Sequence, residues 1–395
     1  MFRKLIFDKS DRLYKLLPVL DGEEENKIKL INKKLPLISH CPSSIGDDFI
    51  VHNANLNFID IKESTIVDWF IKWFEKKYNI SFREEVEVLF FSSYSDLLKS
   101  LFFTFLDSED VLLLSDPINP IYRNIALLTD AKIVKVPLLQ RYYYLPNLSY
   151  IMSNFLINSA MFFINYPHEP IGAVMDDFYI KELYNFAKKM NILVVNEASG
   201  NLFLFENNEP MTFLKEKKYM NYFLEIISFK VGNSKFSPSF IICNKEISNY
   251  INNFVRKTDF TFDFYSLNLA NFYLNNFESI RENFMNTVKT NLEFAIEKLN
   301  QWSWFYYKPA GGNFLWIKVP AGYSADGIYV SFLRNLNIQV IPGTLYGEYG
   351  EGFFVINLGI SKENFIETFR RIEDLWIPMK FKKHRKEDND RKAKN

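Results

Sequence analysis

Three charged residues stand at the ends of short apolar segments, where their side chains could do chemistry. Glu169 follows MFFINYPH, Glu197 ends ILVVNE and Lys230 ends LEIISFK. A lysine amine that is shielded from water can react as a nucleophile. An ionised carboxylate accepts hydrogen bonds but cannot donate one. Each residue also has a purely structural interpretation, because acids often end strands of α/β proteins and lysines are mostly exposed.

Metal chemistry is not indicated by the remaining ligand-type residues. The histidines show no ligand spacing, and the cysteines are too few for a disulfide framework or a cysteine-rich zinc site. These residues are His40, His52, His168, His384, Cys41 and Cys243. We therefore predict no metal site and a reduced, cytoplasmic setting.

The charge balance argues against nucleic acid and membrane partners. Lys and Arg together number 47, as do Asp and Glu, so the net charge is +0 and gives no field that attracts polyanions. The apolar run LLKSLFFTFL is interrupted by Lys99, and no run is long enough to span a bilayer. The charged start, MFRKLIFDKSDR, has no signal-peptide core. We predict a protein without membrane or nucleic-acid partners.

The elements that must position these residues alternate between strands and helices. The segments EVLFFSS, VLLLSDP, AKIVKVPL, MFFINYP, ILVVNE and LEIISFK are predicted strands. Between them, DLLKSLFFTFL, IYRNIALLTD and DDFYIKELYNFAKKMN are predicted helices, the last capped by Asp176 or Asp177. Alternation with continuously apolar strands favours a mostly parallel sheet in an α/β fold.

A second, smaller unit follows a helical region at 265–300, read as one long helix or two. FLWIKVP, NIQVIPG and FFVINLG are predicted strands, and ENFIETFRRIEDL is a closing helix. We predict an arm and part of the small domain at 1–60, a large domain at 61–285 and a small α+β domain at 286–379. The charged tail at 380–395 is predicted to be disordered.

The order and spacing of these segments resemble the class I/II aminotransferases, fold-type-I enzymes that use pyridoxal phosphate. The resemblance covers roughly residues 60–375. It rests on NYPHEPIGAV, ILVVNEASGNLFLFEN, IISFKVGNSKF, GGNFLWIKVP and IQVIPGTLYGEYGEGFFVINLG. It implies a large pyridoxal-phosphate-transferase-like domain, a small C-terminal domain and a homodimer.

The resemblance also implies a role for individual residues. Lys230 matches the Schiff-base lysine, with Lys235 as the runner-up, and Glu197 matches the acid that binds the pyridine nitrogen. The implied cofactor-binding positions are Ser93, Tyr94, Asn119, Glu169, Glu197, Ser228 and Ser237. The resemblance implies no metal-binding residues.

Several of these positions depart from the family's pattern. Glu169 stands where the family has an asparagine that donates to the cofactor's phenolic oxygen, and it could donate only if a raised pKa kept it protonated. Asn119 replaces the stacking ring, and Gly200 replaces a tyrosine. Ser237 replaces the phosphate arginine, and Val355 replaces the arginine that clamps the substrate's carboxylate.

These departures leave two main hypotheses open, beside a decarboxylase or lyase of the same fold, which nothing in the sequence selects. The favoured one is a protein of this fold that has lost ordinary transamination and binds a partner or small ligand, with no cofactor and with Glu169 pointing to water. The alternative is an active enzyme that uses pyridoxal phosphate on an amino acid or an amine, with Lys230 as the nucleophile and Glu197 on the ring. Its substrate would lack an α-carboxylate or be held by another clamp. A lysine amine that reaches the cleft near Glu197 would favour the enzyme hypothesis over the hypothesis of binding without catalysis.

Overall fold

A computed structural model of the chain describes residues 59–154, 159–206, 208–230, 236–258 and 264–376. The predicted N-terminal arm, the charged tail and Lys235 lie outside these residues. His168 is the histidine that falls within them, and Cys243 the cysteine.

The larger part of the described chain is a seven-stranded sheet with helices on both faces. Its strands are β1 (Val86–Phe91), β2 (Val111–Asp116), β3 (Lys132–Pro137), β4 (Ser159–Asn165), β5 (Leu193–Glu197), β6 (Phe223–Ser228) and β7 (Ser239–Asn244). The strand order is β1-β7-β6-β5-β4-β2-β3. All pairs are parallel except those of β7 with β1 and β6. The prediction of a mostly parallel sheet in an α/β fold is confirmed.

The helices of this part follow the strands. They are α1 (Glu63–Tyr78), α2 (Tyr94–Phe105), α3 (Pro120–Ala126), α4 (Leu148–Asn154), α5 (Asp177–Met190) and α6 (Lys245–Lys257). In α5 the side chain of Asp176 accepts from the N–H of Tyr179 at 2.7 Å, which caps the first turn. Asn191 ends the helix in the left-handed region at φ 50°, as C-terminal caps commonly do.

Strand β4 shows how the sheet is covered. Phe162 and Ile164 pack into one apolar cluster with α5, whereas Met161 and Phe163 pack into another with α2 and α3. All four are fully buried. Because successive side chains point to opposite faces of a strand, a strand buried on both faces must be apolar throughout.

The C-terminal part begins with one long helix, α7 (Phe264–Gln301), followed by a four-stranded antiparallel sheet and two further helices. These are β8 (Tyr306–Tyr307), β9 (Phe314–Lys318), α8 (Ala325–Leu336), β10 (Ile341–Pro342), β11 (Phe353–Asn357) and α9 (Lys362–Arg371). The predicted strand NIQVIPG is wrong in extent, because only Ile341 and Pro342 pair with β11. The boundary predicted between residues 285 and 286 lies inside α7, and the division into domains stays a prediction.

None of the helices in the described ranges is both long enough and apolar enough to cross a lipid bilayer.

Candidate active site

The carboxyl ends of β4, β5 and β6 form the floor of a cavity of about 420 Å³. Asn165 and Glu197 are register partners, and Ser199 and Ser228 lie beside them. We call Asn165, Glu197, Ser199 and Ser228 the cavity floor. Parallel strands bring polar residues of distant sequence to one edge, which is why residues 63 positions apart meet here.

Glu197 is buried and held by hydrogen bonds. The amide Nδ2 of Asn165 donates to its Oε2 at 2.7 Å, and the hydroxyl of Ser199 donates to its Oε1. Burial raises the pKa of Glu197 to about 8, and the nearby Glu169 carboxylate adds to the rise. The carboxyl group lacks a cationic partner among the described residues, and such a group binds a cation favourably.

Ser199 connects Glu197 to the next strand. Its Oγ accepts from the N–H of Ser228 at 2.7 Å, while the hydroxyl of Ser239 donates to the Oγ of Ser228 at 2.9 Å. The carboxylate is therefore oriented by bonds from β4 and from the turn after β5. Side chains held in this way need little reorganisation when a ligand arrives.

Two tyrosines close over Glu197 from the α2 and α3 side. The Tyr94 hydroxyl donates to that of Tyr122 at 3.2 Å, and Tyr122 lies close enough to Glu197 to affect its pKa. Burial raises the pKa of both phenols well above the ordinary value. Both phenols therefore stay protonated at neutral pH, and their hydroxyl groups can donate and accept hydrogen bonds.

Glu169 lines the cavity rather than the outer surface. Asn119 Nδ2 donates to its Oε1 at 3.0 Å, and the Glu169 N–H donates to Asn165 Oδ1 at 2.8 Å. Burial raises its pKa, an effect that Lys230 and Asn119 partly offset. The hypothesis that Glu169 points to water in a site with no cofactor stays a prediction, and the pKa shift has the direction that a protonated, donating form requires.

The turn that carries Glu169 is held tightly by the C-terminal part. Gly172 has φ +79°, and a Cβ on it would stand 2.3 Å from Pro309 Cβ. The same turn also restricts Gly200, where a Cβ would stand 2.5 Å from the carbonyl oxygen of Pro167. No larger side chain fits at position 200, where the family resemblance implies a tyrosine.

Lys230 follows β6 and lines the same cavity as Glu169 and Glu197. It is exposed, but the residue before it is fully buried. The ring of Phe229 lies 4.8 Å from the ring of Trp73 in α1 and 4.8 Å from that of Phe277 in α7. These edge-to-face contacts fix the backbone from which Lys230 projects.

The start of α2, where the resemblance places the phosphate, is occupied by side chains of the protein itself. Ser93 Oγ accepts from the N–H of Asp96 at 3.4 Å. Ser237 Oγ accepts from the N–H of Tyr94 at 3.1 Å. A helix N-terminus binds anions through such N–H groups, so a phosphate here would have to displace the Ser237 contact.

The opposite side of the cavity is apolar. Phe314, Ile341, Leu345 and Tyr346 line it, and we call these residues the cavity wall. Val355, at the position of the family's carboxylate-binding arginine, is fully buried behind its strand neighbours Trp316 and Ile341. It does not reach the cavity.

Arg370, Arg371 and His168, cationic-type residues of the described ranges, do not compensate for Val355. Arg370 and Arg371 both pair with Glu367 at 2.8 Å on α9. His168 is buried, its Nε2 lies 3.0 Å from the Pro117 carbonyl oxygen, and burial lowers its pKa to about 4. Within the described ranges, no group of three or more His, Cys, Asp or Glu residues could hold a metal ion.

Most of the residues predicted from sequence converge on this cavity. Lining it are Tyr94, Asn119, Glu169, Glu197, Ser228 and Lys230. Ser93 and Ser237 lie behind it at the start of α2, and Asn119 also caps α3 through a bond from the Ile121 N–H at 3.1 Å. Ser199 was missed, although its place two residues after Glu197 is a usable signal. The cavity wall was missed because it comes from a separate sheet.

Comparison with known proteins agrees with this geometry. Residues 57–372 match the sequence profile of the family described as aminotransferase class I and II. LL-diaminopimelate aminotransferase of Halothermothrix orenii is 24% identical over 311 residues, which are 78% of this chain and 80% of that protein. The protein of the same name from Gloeobacter violaceus is 24% identical over 312 residues, 76% and 78% of the two chains.

Solved structures share the fold. Substrate-bound BacF from Bacillus subtilis superposes with a TM-score of 0.76 at 21% identity, covering 91% of this chain and 96% of that one. Aspartate aminotransferase from Thermotoga maritima gives a TM-score of 0.76 at 17% identity, covering 92% and 98%.

Proposed function

The chain belongs to the class I and II aminotransferase family, and from that premise we propose that it is an enzyme that transfers amino groups with pyridoxal phosphate. The observation that carries the proposal is that Lys230 and Glu197 line one cavity of about 420 Å³. A volume of this size falls in the range of small-molecule sites. A nucleophile and a buried acid around an open space are what the enzyme hypothesis requires.

The ring end of the cavity fits the cofactor. Pyridoxal phosphate, when bound, supplies a protonated pyridine ring that accepts the electron pair of a bond broken beside the substrate nitrogen. Glu197 is the residue that would bind the ring nitrogen. It is buried without a cationic partner in the described part of the chain and has a pKa of about 8, so a pyridinium would supply the missing charge. Asn165 and Ser199 orient it.

The chain's own residues would then divide the remaining work. Lys230 Nζ would hold the aldehyde end of the cofactor and is the amine that could take and return a proton. Tyr122 covers Glu197 from the α3 side. Ser93 and Tyr94, at the start of α2, are the residues that would hold the phosphate.

A second candidate function is binding without catalysis, and a specific observation favours it. The N–H of Tyr94 is already bonded to Ser237, and the described residues place no cation at that end of the cavity. A protein that has stopped binding phosphate would satisfy this N–H internally in the same way. This candidate predicts that added cofactor leaves Lys230 unmodified.

The deciding experiment is to add pyridoxal phosphate to the purified protein, record its near-visible absorbance, reduce with borohydride and map any pyridoxyl-lysine. We expect a stable absorbance band and a label on Lys230 that is lost in Lys230→Ala. Lys188→Ala, which removes an exposed lysine of α5, is the matched control and keeps the label. Lys235→Ala separates the two candidate lysines.

A label scattered over surface lysines with no band would reject the enzyme proposal in favour of binding alone. A label that survives Lys230→Ala and disappears in Lys235→Ala would keep the enzyme and reassign its nucleophile.

The remaining predictions concern the setting of the enzyme. We propose a homodimer that acts on an amino acid or an amine in the cytoplasm. Support comes from family membership. The division into a large domain at 61–285 and a small one at 286–379 is proposed on the same ground.

A further inference from the structure

The charges lining the cavity are unusual for a site that would receive an amino acid. Its carboxyl groups are Glu169 and Glu197, and Lys230 is the only cation among its described lining residues. Under the proposed function, Glu197 is taken by the ring nitrogen and Lys230 by the cofactor. When it is ionised, Glu169 cannot donate to the cofactor's phenolic oxygen, and it is then the charged group left for the substrate.

Glu169 is set up to accept a hydrogen bond from a cation. Asn119 donates to Oε1, and Asn165 fixes the backbone N–H, so the carboxyl group is oriented from two sides. The described residues give Oε2 no hydrogen bond. An ammonium group arriving beside Oε2 favours the ionised form of the carboxyl group, and a charge-assisted bond of this kind is stronger than a neutral one.

The cavity wall offers no cation to a carboxylate. Its side chains are apolar except for the Tyr346 hydroxyl, the amide of the adjoining Asn313 donates to Asn357 Oδ1 at 3.2 Å, and Val355 is buried behind β9 and β10. A carboxylate placed against this wall would lose much of its hydration without gaining a charged partner, which is costly. Aromatic rings such as Phe314 and Tyr346, by contrast, favour an apolar body and the face of an organic cation.

We propose that the cavity takes a primary amine with an apolar body and no carboxylate, and that Glu169 binds its ammonium group. This inference rests on the proposed function, because it assigns Glu197 and Lys230 to the cofactor. It names a substrate class and a specificity-determining residue for the same site.

The test compares phenethylamine with phenylalanine, two molecules that differ by one carboxylate. Calorimetric titration of the purified protein, before and after loading with pyridoxal phosphate, reports binding independently of turnover. We expect the amine to bind at least about tenfold more tightly than the amino acid, since the described part of the cavity wall holds no cation that could pair with a carboxylate.

Two variants test separately the contribution of Glu169 and that of the cavity wall to this difference in affinity. Glu169→Gln weakens amine binding by about tenfold or more, whereas Glu182→Gln, the same change at an exposed site of α5, leaves it unchanged. Leu345→Arg adds a cation to the wall at a side chain that is 45% exposed. Leu345→Arg should strengthen the binding of phenylalanine and so reduce the difference in affinity between phenethylamine and phenylalanine.

Three results would overturn the inference: equal affinity for both molecules, no binding of either, or amine binding that Glu169→Gln leaves intact. Failure of the proposed function is read separately, from the absence of a pyridoxyl label on Lys230. A preference for the amine without that label would support the cation site and reject the transferase.

Discussion

The cavity floor and the cavity wall differ in what holds them and in what they recognise. The floor is a network of bonds between strand ends, with Glu197 bonded from Asn165 and Ser199. The wall is a set of apolar side chains from the smaller sheet and the segment after it. The floor holds the buried acid Glu197, whereas the described residues of the wall include no cation. The difference teaches that the polar and the apolar sides of the cavity are carried by separate parts of the fold.

The largest expected change is a loss of stability on substitution of Phe229, whose ring anchors the backbone beside the cavity floor. Phe229→Ala removes a fully buried ring that packs on Trp73 and Phe277, and it should lower the free energy of unfolding by about 3–5 kcal/mol. Urea unfolding measures the change. Phe178→Ala is the control, because Phe178 is 74% exposed. An equal loss in both variants would show that the backbone beside Lys230 is not specially anchored.

A slightly smaller effect is expected from the acid of the floor. Glu197→Gln removes the charge that would hold the ring nitrogen protonated, and kcat of the loaded enzyme should fall on the order of 10²–10³-fold, about 2.7–4 kcal/mol. Steady-state kinetics with an amine donor measures the change. The same substitution at exposed Glu182 serves as the control. Unchanged kcat would assign the ring nitrogen to another group.

The pH dependence of stability sharpens the comparison, because the floor contains a titrating group and the wall does not. Burial raises the pKa of Glu197 to about 8 and that of Glu225, bonded to Thr212 in the core, to about 7. Raised acid pKa values stabilise the folded state at low pH, and this stabilisation is lost as pH rises through the folded values. Unfolding should become easier between pH 6.5 and 8, by about 1.4 kcal/mol per pH unit for each group that stays protonated only when folded.

The measurement is urea unfolding of the cofactor-free protein across that range. His168, whose pKa is lowered to about 4 from 6.5, is half protonated in the unfolded state at pH 6.5 and so adds a smaller slope of opposite sign, which fades by about pH 7.5. Glu225→Gln removes one titrating group and should flatten the dependence. Stability that rises with pH would contradict the assignment of these buried acids.

The smallest effect is expected at the wall. Leu345→Ala should change the free energy of unfolding by less than about 0.5 kcal/mol, because Leu345 is 45% exposed. Leu315→Ala, the same change at a fully buried position of β9, should cost about 2–5 kcal/mol. A large loss at Leu345 would mean that the wall is a structural element rather than a replaceable surface.

Sequence patterns predicted the parts of the fold that depend on local signals. The bounds of α5 follow from Asp176 and Asn191, and the strands follow from apolar runs buried on both faces. The strand predicted at NIQVIPG is longer than the observed strand Ile341–Pro342, because the residues flanking it in sequence have a similar composition. Pairing with β11, rather than local propensity, sets its length.

The candidate site likewise combines residues that were identified from the sequence with long-range contacts that were not. Glu197, Glu169 and Lys230 were identified through the family resemblance, and they meet because the ends of parallel strands converge. The bond from Ser237 to the Tyr94 N–H joins residues 143 positions apart, and no local pattern predicts such a contact. The bond from Asn119 to Glu169 was not predicted for the same reason, since Asn119 comes from a different strand–helix connection.

Gly200 limits which substitutions this part of the chain can accept. Since a Cβ at this position would stand 2.5 Å from the Pro167 carbonyl oxygen, no single substitution places a tyrosine there in the present backbone. The turn after β4 would have to shift first, and that turn carries Glu169. A side-chain hydroxyl at position 200 and the present placement of Glu169 therefore exclude each other.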